Sequence, residues 1–213
     1  MKTIDIEYVR KHGMNYIEYL NLIDLLLTEN KTTGIDQSDK NLNYAKLNQQ
    51  RMHRLEKTIV LDGSYAAIFH KIEHAIEVLV ITEGWCGDSA QICPWFHELE
   101  KVSNGKIKSY FLLRDEHLEI MDCFLTNGSR SIPKFIFFSP ISGEVLATWG
   151  PRPKAIQDWF LDTKSKFPDL LKDEIGLQLH QFYTKDKGHE ILSDLKNILN
   201  TIYFPSSASH SIL

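Results

Sequence analysis

Cysteine is scarce in this chain: 213 residues contain only Cys86, Cys93 and Cys123. An odd count this small excludes a disulfide-stapled miniprotein and points to a reducing compartment. Long hydrophobic runs are lacking too, with no apolar stretch near the ~18–20 residues a membrane crossing needs. The most apolar early segment, 16–27, is interrupted by Glu18, Asn21 and Asp24, and no small-residue cleavage site follows it. Large excess charge is also absent. A net charge of −4 gives no reason to expect nucleic acid or an anionic membrane as partner. What is present, 43% apolar and 24% charged residues, is the composition of a globular domain rather than a disordered or fibrous chain. We therefore expect a soluble, non-secreted, cytoplasmic protein.

Three textures follow one another along the chain. Residues 1–57 read as a helical extension. Tyr16, Leu20, Ile23 and Leu27 recur at helical spacing, a polar loop spans 30–39, and Leu47, Met52 and Leu55 mark a second amphipathic segment. Residues 58–167 alternate short branched or aromatic runs with helical stretches. The runs are 78–81, 107–113, 135–138 and 145–149, and the last two are joined by a hairpin-length connection holding Pro140 and Gly143. Helices are expected over 65–75, up to about 102, over 117–125 and over 154–166, and a further strand over 58–61. Residues 168–204 form a C-terminal helical extension expected to pack on this domain, and 205–213 a flexible tail. The alternation implies βαβ crossovers and an α/β fold, a mixed sheet in βαβαββα order flanked by helices.

The segment that carries chemistry is Val80-Ile81-Thr82-Glu83-Gly84-Trp85-Cys86-Gly87-Asp88-Ser89, running on to Cys93-Pro94. A buried strand ends, a turn follows, and Cys86 stands where a helix begins. Unpaired N–H groups and the helix dipole there favour thiolate over thiol, so Cys86 is expected to have a lowered pKa and to act as a nucleophile. Gly87 permits close backbone approach, Asp88 or Ser89 can cap the helix, and Trp85 can shield the sulfur. The Asp88 carboxylate opposes the thiolate. Cys93 lies seven residues along the helix, about 10.5 Å of rise, beyond the ~7 Å that a disulfide spans, and reads as a packed apolar residue. Burial is the expectation for Cys123 too.

With Trp85-Cys86-Gly87 followed by Pro94, the chain resembles the thioredoxin family, whose motif is Trp-Cys-Gly-Pro-Cys with a helix-kinking proline at this offset. Arg130-Ser131-Ile132-Pro133, just before the strand at 134–138, resembles that family's cis-proline loop. Gly143, the strand 145–149 and Gly150 resemble its terminal hairpin. The resemblance covers about residues 60–167 and places the chain in a divergent group with Trp-Cys-Gly-Asp-Ser. It implies a thioredoxin-like fold and thiol–disulfide oxidoreductase activity with no cofactor. Cys86 is the implied catalytic nucleophile and Ser89 its hydrogen-bond partner. Trp85, Gly87 and Asp88 shape the substrate site, and Ile132 and Pro133 clamp the substrate strand. Ser89 replaces the second cysteine of the motif, and Val80 replaces the family's buried carboxylate. Monothiol exchange is the chemistry left. The expected partners are protein or small-molecule disulfides and thiols, glutathione among them. A catalytically silent binding or adaptor module is the alternative.

Other constellations carry less. Cys86-Gly87-Asp88-Ser89 differs at its third position from the Cys-Gly-Phe-Ser of cluster-binding monothiol glutaredoxins, and that family's upstream lysine is missing. His70 and His74 are an incomplete metal pair, so no metal is expected. His97 lies two helical turns past Ser89, poorly placed as a base for Cys86. The basic cluster Arg51, His53, Arg54 and Lys57 reads as a solvated face, a dock for the extra helix, or a contact with an acidic partner. No aromatic interleaving of the RNA-binding kind accompanies it. Trp149, Trp159 and Phe160 fall at core spacings.

Overall fold

The computed structural model describes residues 2–69 and 72–204. His70 and the tail at 205–213 lie outside the described residues. Four strands, β1 (Ile76–Thr82), β2 (Ile107–Leu113), β3 (Lys134–Phe138) and β4 (Val145–Trp149), form one sheet in the order β2-β1-β3-β4. β1 pairs parallel with β2 and antiparallel with β3, and β3 pairs antiparallel with β4. The mixed α/β sheet expected from the sequence is therefore present, with the expected strand order.

Every residue of β1 is buried, because helices cover both faces of the sheet. Strand side chains alternate between faces. Val78 and Val80 meet Phe96 of α5 (Gly87–Val102) together with Tyr16 and Tyr19 of α2 (Tyr16–Thr28). Leu79 and Ile81 turn to the opposite core, with Val9 of α1 (Ile6–His12), Met121 of α6 (Leu118–Asp122) and Cys86. α3 (Asp39–Thr58) contributes Met52 to the larger core, so the N-terminal helices share the hydrophobic interior of the sheet. Ahead of α2, Met14 exchanges backbone hydrogen bonds with Phe111, stitching the chain to the outer edge of β2. A capping box of Asn15 and Glu18 then starts α2 by satisfying otherwise orphaned N–H groups.

Four local expectations are corrected. No strand forms over 58–61, because α3 runs through Thr58 and the Ile59 N–H still bonds back to the Leu55 carbonyl. The helix expected over 65–75 is α4 (Gly63–Phe69). The helix expected over 117–125 shrinks to the five residues of α6, after a 3₁₀ turn at Arg114–Glu116. The C-terminal helical run is two helices, α8 (Lys172–Asp186) and α9 (His189–Tyr203), separated where Lys187 and Gly188 both take left-handed backbone angles. α7 (Lys154–Lys166) lies between β4 and α8.

Candidate functional site

β1 ends at Thr82, and the turn Glu83-Gly84-Trp85 delivers Cys86 to the N-cap position of α5. Residues from the N-terminal part of the chain hold this turn from outside. The Thr33 hydroxyl accepts from the Gly84 N–H at 2.7 Å, and the Asn48 amide donates to the Gly84 carbonyl at 3.0 Å. Fixing both backbone groups of one residue leaves the turn little freedom. Arg114 lies over the Trp85 ring, 4.8 Å from its centroid. The Glu83 side chain is wholly buried, accepts from the Asp115 N–H at 2.9 Å, and is pushed up to about 7 by burial.

Cys86 is 8% exposed, and its thiol donates to the Ile132 carbonyl at 3.3 Å. The Ile132–Pro133 peptide is cis. Two of the sequence-singled segments, 46 residues apart, thus meet at the sulfur. Behind it lies a chain of hydroxyls. Tyr19 Oη is 3.3 Å from Thr82 Oγ1, which donates to Ser89 Oγ at 2.7 Å. Because Ser89 accepts from Thr82, its own proton is left for Cys86. The Ser89 hydroxyl and the N–H groups of Ser89 and Asp88 do favour the thiolate.

They do not prevail. The expectation of a lowered Cys86 pKa is corrected: burial first, and the Asp88 carboxylate second, push the thiol up to about 11. Three donors at a helix N-terminus offset only part of the cost of placing a thiolate out of reach of water. The capping expectation is corrected as well, since neither Asp88 nor Ser89 caps α5. Asp88 is 7% exposed and bound to Arg152, with Nη2 at 2.7 Å from Oδ2 and Nε donating to Oδ1 at 3.0 Å. Tyr183 of α8 donates to the same Oδ1 at 2.9 Å. Burial raises the Asp88 pKa against the pull of both partners. This carboxylate therefore ties α5 to the segment before α7 and to α8, and its oxygens are already occupied.

α8 also covers Gly87. A methyl group there would fall 2.7 Å from His180 Cε1, so the imidazole rests directly on the glycine backbone. Gln91 contacts His180 Nδ1 at 3.3 Å. Burial, then the charges of Arg51 and Arg152, push His180 down to about 4, so it is neutral at pH 7. The structure thus brings Trp85, Cys86, Gly87, Asp88, Ser89, Ile132 and Pro133 to one end of β1 and α5. It adds Tyr19, Thr82, Arg152, His180 and Tyr183, which sequence reasoning missed. The short segment Pro151-Arg152-Pro153 was the one local signal: an arginine between two prolines is held stiffly.

The remaining candidates separate from the site. Cys93 is fully buried in α5, and burial pushes its thiol well above the ordinary range. Cys123 is exposed, against expectation, because α6 ends at Asp122 and leaves it on the surface, with Lys2 donating to its carbonyl. His97 stacks on Tyr16 with ring centroids 4.5 Å apart. Among the described residues, Asp186, His189 and Glu190 lie close enough to share an ion, but the Asp186 carboxylate already accepts from the Glu190 N–H at 3.2 Å.

The sequence model of the family described as thioredoxin matches residues 34–167, more than half of the chain. This chain belongs to the thioredoxin family. The match begins ahead of α3, so it includes the helix whose Asn48 holds the Gly84 turn. No curated protein matches. Two solved structures share the fold. An HIV epitope-scaffold is 14% identical, with a TM-score of 0.57 over 91% of this chain and 96% of that one. A protein of unknown function from Pseudomonas aeruginosa is 14% identical, with a TM-score of 0.54 over 88% of this chain and 98% of that one. At this identity the likeness concerns fold alone. Among the described residues, no helix is long and apolar enough to cross a membrane.

Proposed function

We propose that this thioredoxin-family chain is a monothiol thiol–disulfide exchange protein of the cytoplasm, with Cys86 as its nucleophile. The observation that supports this reading most is the convergence on one sulfur of a helix N-terminus, the Ser89 hydroxyl and the Ile132 carbonyl beside Pro133. Trp85 and Gly87 form the rim of the site, and Asp88 braces it through Arg152 and Tyr183. Substrate backbone aligns beside Ile132 and Pro133 and competes for the carbonyl that the thiol now occupies. Cys86 then attacks one sulfur of a disulfide R–S–S–R′. The Cys86–S–S–R bond forms, the old S–S bond breaks, and R′ leaves as its thiol with the Cys86 proton. A second thiol R″–SH attacks the mixed disulfide, giving R–S–S–R″ and returning Cys86 as thiol. Glutathione suits either small-molecule role.

A second reading, a silent adaptor, draws support from the buried thiol that titrates near 11. Mixed-disulfide capture separates the two. In a Cys123→Ser background, incubation with oxidised glutathione is expected to give one adduct at Cys86 by intact mass, discharged by reduced thiol. No adduct in the folded protein, under conditions that fully modify the unfolded chain, leaves the adaptor reading.

A further inference from the structure

The basic residues of α3 part company in the structure. His53 faces acids, with Asp24 at 3.1 Å and Glu56 at 3.3 Å. Arg51 and Arg54 turn instead into an open groove of about 480 Å³ between α3, α5 and α8. Lys185 joins them, and an adjoining depression of about 330 Å³ shares Arg54 and adds Lys187. Among the described residues, no carboxylate lines either cavity. That concentration of one sign occurs in a chain whose net charge is −4.

Arg51 is the most telling member. It is half-buried, and its guanidinium donates to the neutral Asn48 amide oxygen at 2.8 Å. Burial and the neighbouring Arg54 both work against its charge. Half-buried cations are ordinarily paired, and two arginines side by side raise the cost of leaving them unpaired. A planar guanidinium pair matches the bidentate geometry of phosphate or carboxylate groups. Leu47 and Leu177, both exposed, give the same groove an apolar wall.

We propose that this groove binds a small organic polyanion, whose phosphate or carboxylate groups bridge Arg51, Arg54 and Lys185 while its apolar part lies on Leu47 and Leu177. His180 forms the inner wall as a neutral polar contact and also rests on Gly87, so the bound anion lies on the far side of His180 from the turn that carries Cys86. The site does not depend on the chemistry of Cys86 and stands or falls separately.

The test is calorimetric titration of the full chain with pyrophosphate and with citrate at low ionic strength. Saturable one-to-one binding of at least one probe is expected, and the tighter of the two decides between phosphate and carboxylate. Arg51→Gln/Arg54→Gln should weaken it about a hundredfold, roughly tenfold for each guanidinium removed, or ~1.4 kcal/mol apiece. Because Arg51 is half-buried, Lys185→Glu, on an exposed side chain, serves as the variant that leaves packing intact and should weaken binding at least tenfold. Saturation should also raise the His180 pKa, followed by NMR, because the anion offsets Arg51. Absence of saturable binding for both probes, undiminished affinity in Lys185→Glu, or an unmoved His180 titration overturns the proposal.

Discussion

Asp88→Ala is expected to cost about 3–5 kcal/mol of folding stability, the range for breaking a buried ion pair from one side. The variant leaves the Arg152 guanidinium, 16% exposed, without its carboxylate, and leaves the Tyr183 hydroxyl without an acceptor. Both partners come from elements other than α5, so the loss loosens the packing of α7 and α8 on the helix that carries Cys86. The same change removes the like charge that opposes the thiolate while Arg152 stays nearby, so the Cys86 pKa should fall. Urea midpoints with and without the substitution give the first quantity, and thiol alkylation the second. A stability loss below about 1 kcal/mol, the worth of an exposed pair, would show that Arg152 simply relaxes into water.

Gly150→Ala is the second large effect. Gly150 follows β4 with φ of +107°, and a methyl group there would lie 2.2 Å from the Pro133 carbonyl oxygen. The obstacle is backbone, so no side chain can swing aside. Backbone strain at about 1–3 kcal/mol and overpacking at a further ~1–3 kcal/mol put the cost at roughly 2–6 kcal/mol. The carbonyl that accepts the Cys86 thiol belongs to Ile132, one residue before Pro133, so relief of the clash also shifts that acceptor. Urea denaturation followed by tryptophan fluorescence measures the cost. Wild-type stability in the variant would contradict the close approach.

How far the sequence revealed this molecule depends on the range of the interactions involved. β2, β4 and α7 fall where periodicity puts them, because each is a short run whose neighbours in sequence decide its shape. The strand expected over 58–61 fails for want of a partner. Val60 is 84% exposed, and β propensity without an adjacent edge forms nothing. Cys86, Ser89 and Pro133 were legible because their motifs are contiguous. Their setting was not. Tyr19, Thr82 and Tyr183 act on Cys86 and Asp88 through contacts that span 7 to 95 residues, and no local spacing encodes them. The thiol's raised pKa has the same origin. A helix N-terminus is visible in the sequence, whereas the depth at which the fold buries it is a tertiary property.

The most direct test of Cys86 as a thiol held in reserve is its alkylation rate against pH, in a Cys123→Ser background with Cys86→Ser as blank. Only the thiolate reacts, so a thiol titrating near 11 gives a rate that climbs about tenfold per unit from pH 7 to 10 without a plateau. That profile is the one expected if burial and Asp88 hold Cys86 protonated until a partner engages the Ile132–Pro133 backbone. A plateau at or below pH 8 would contradict it, showing that Ser89 and the N–H groups of α5 outweigh burial and leave a standing thiolate.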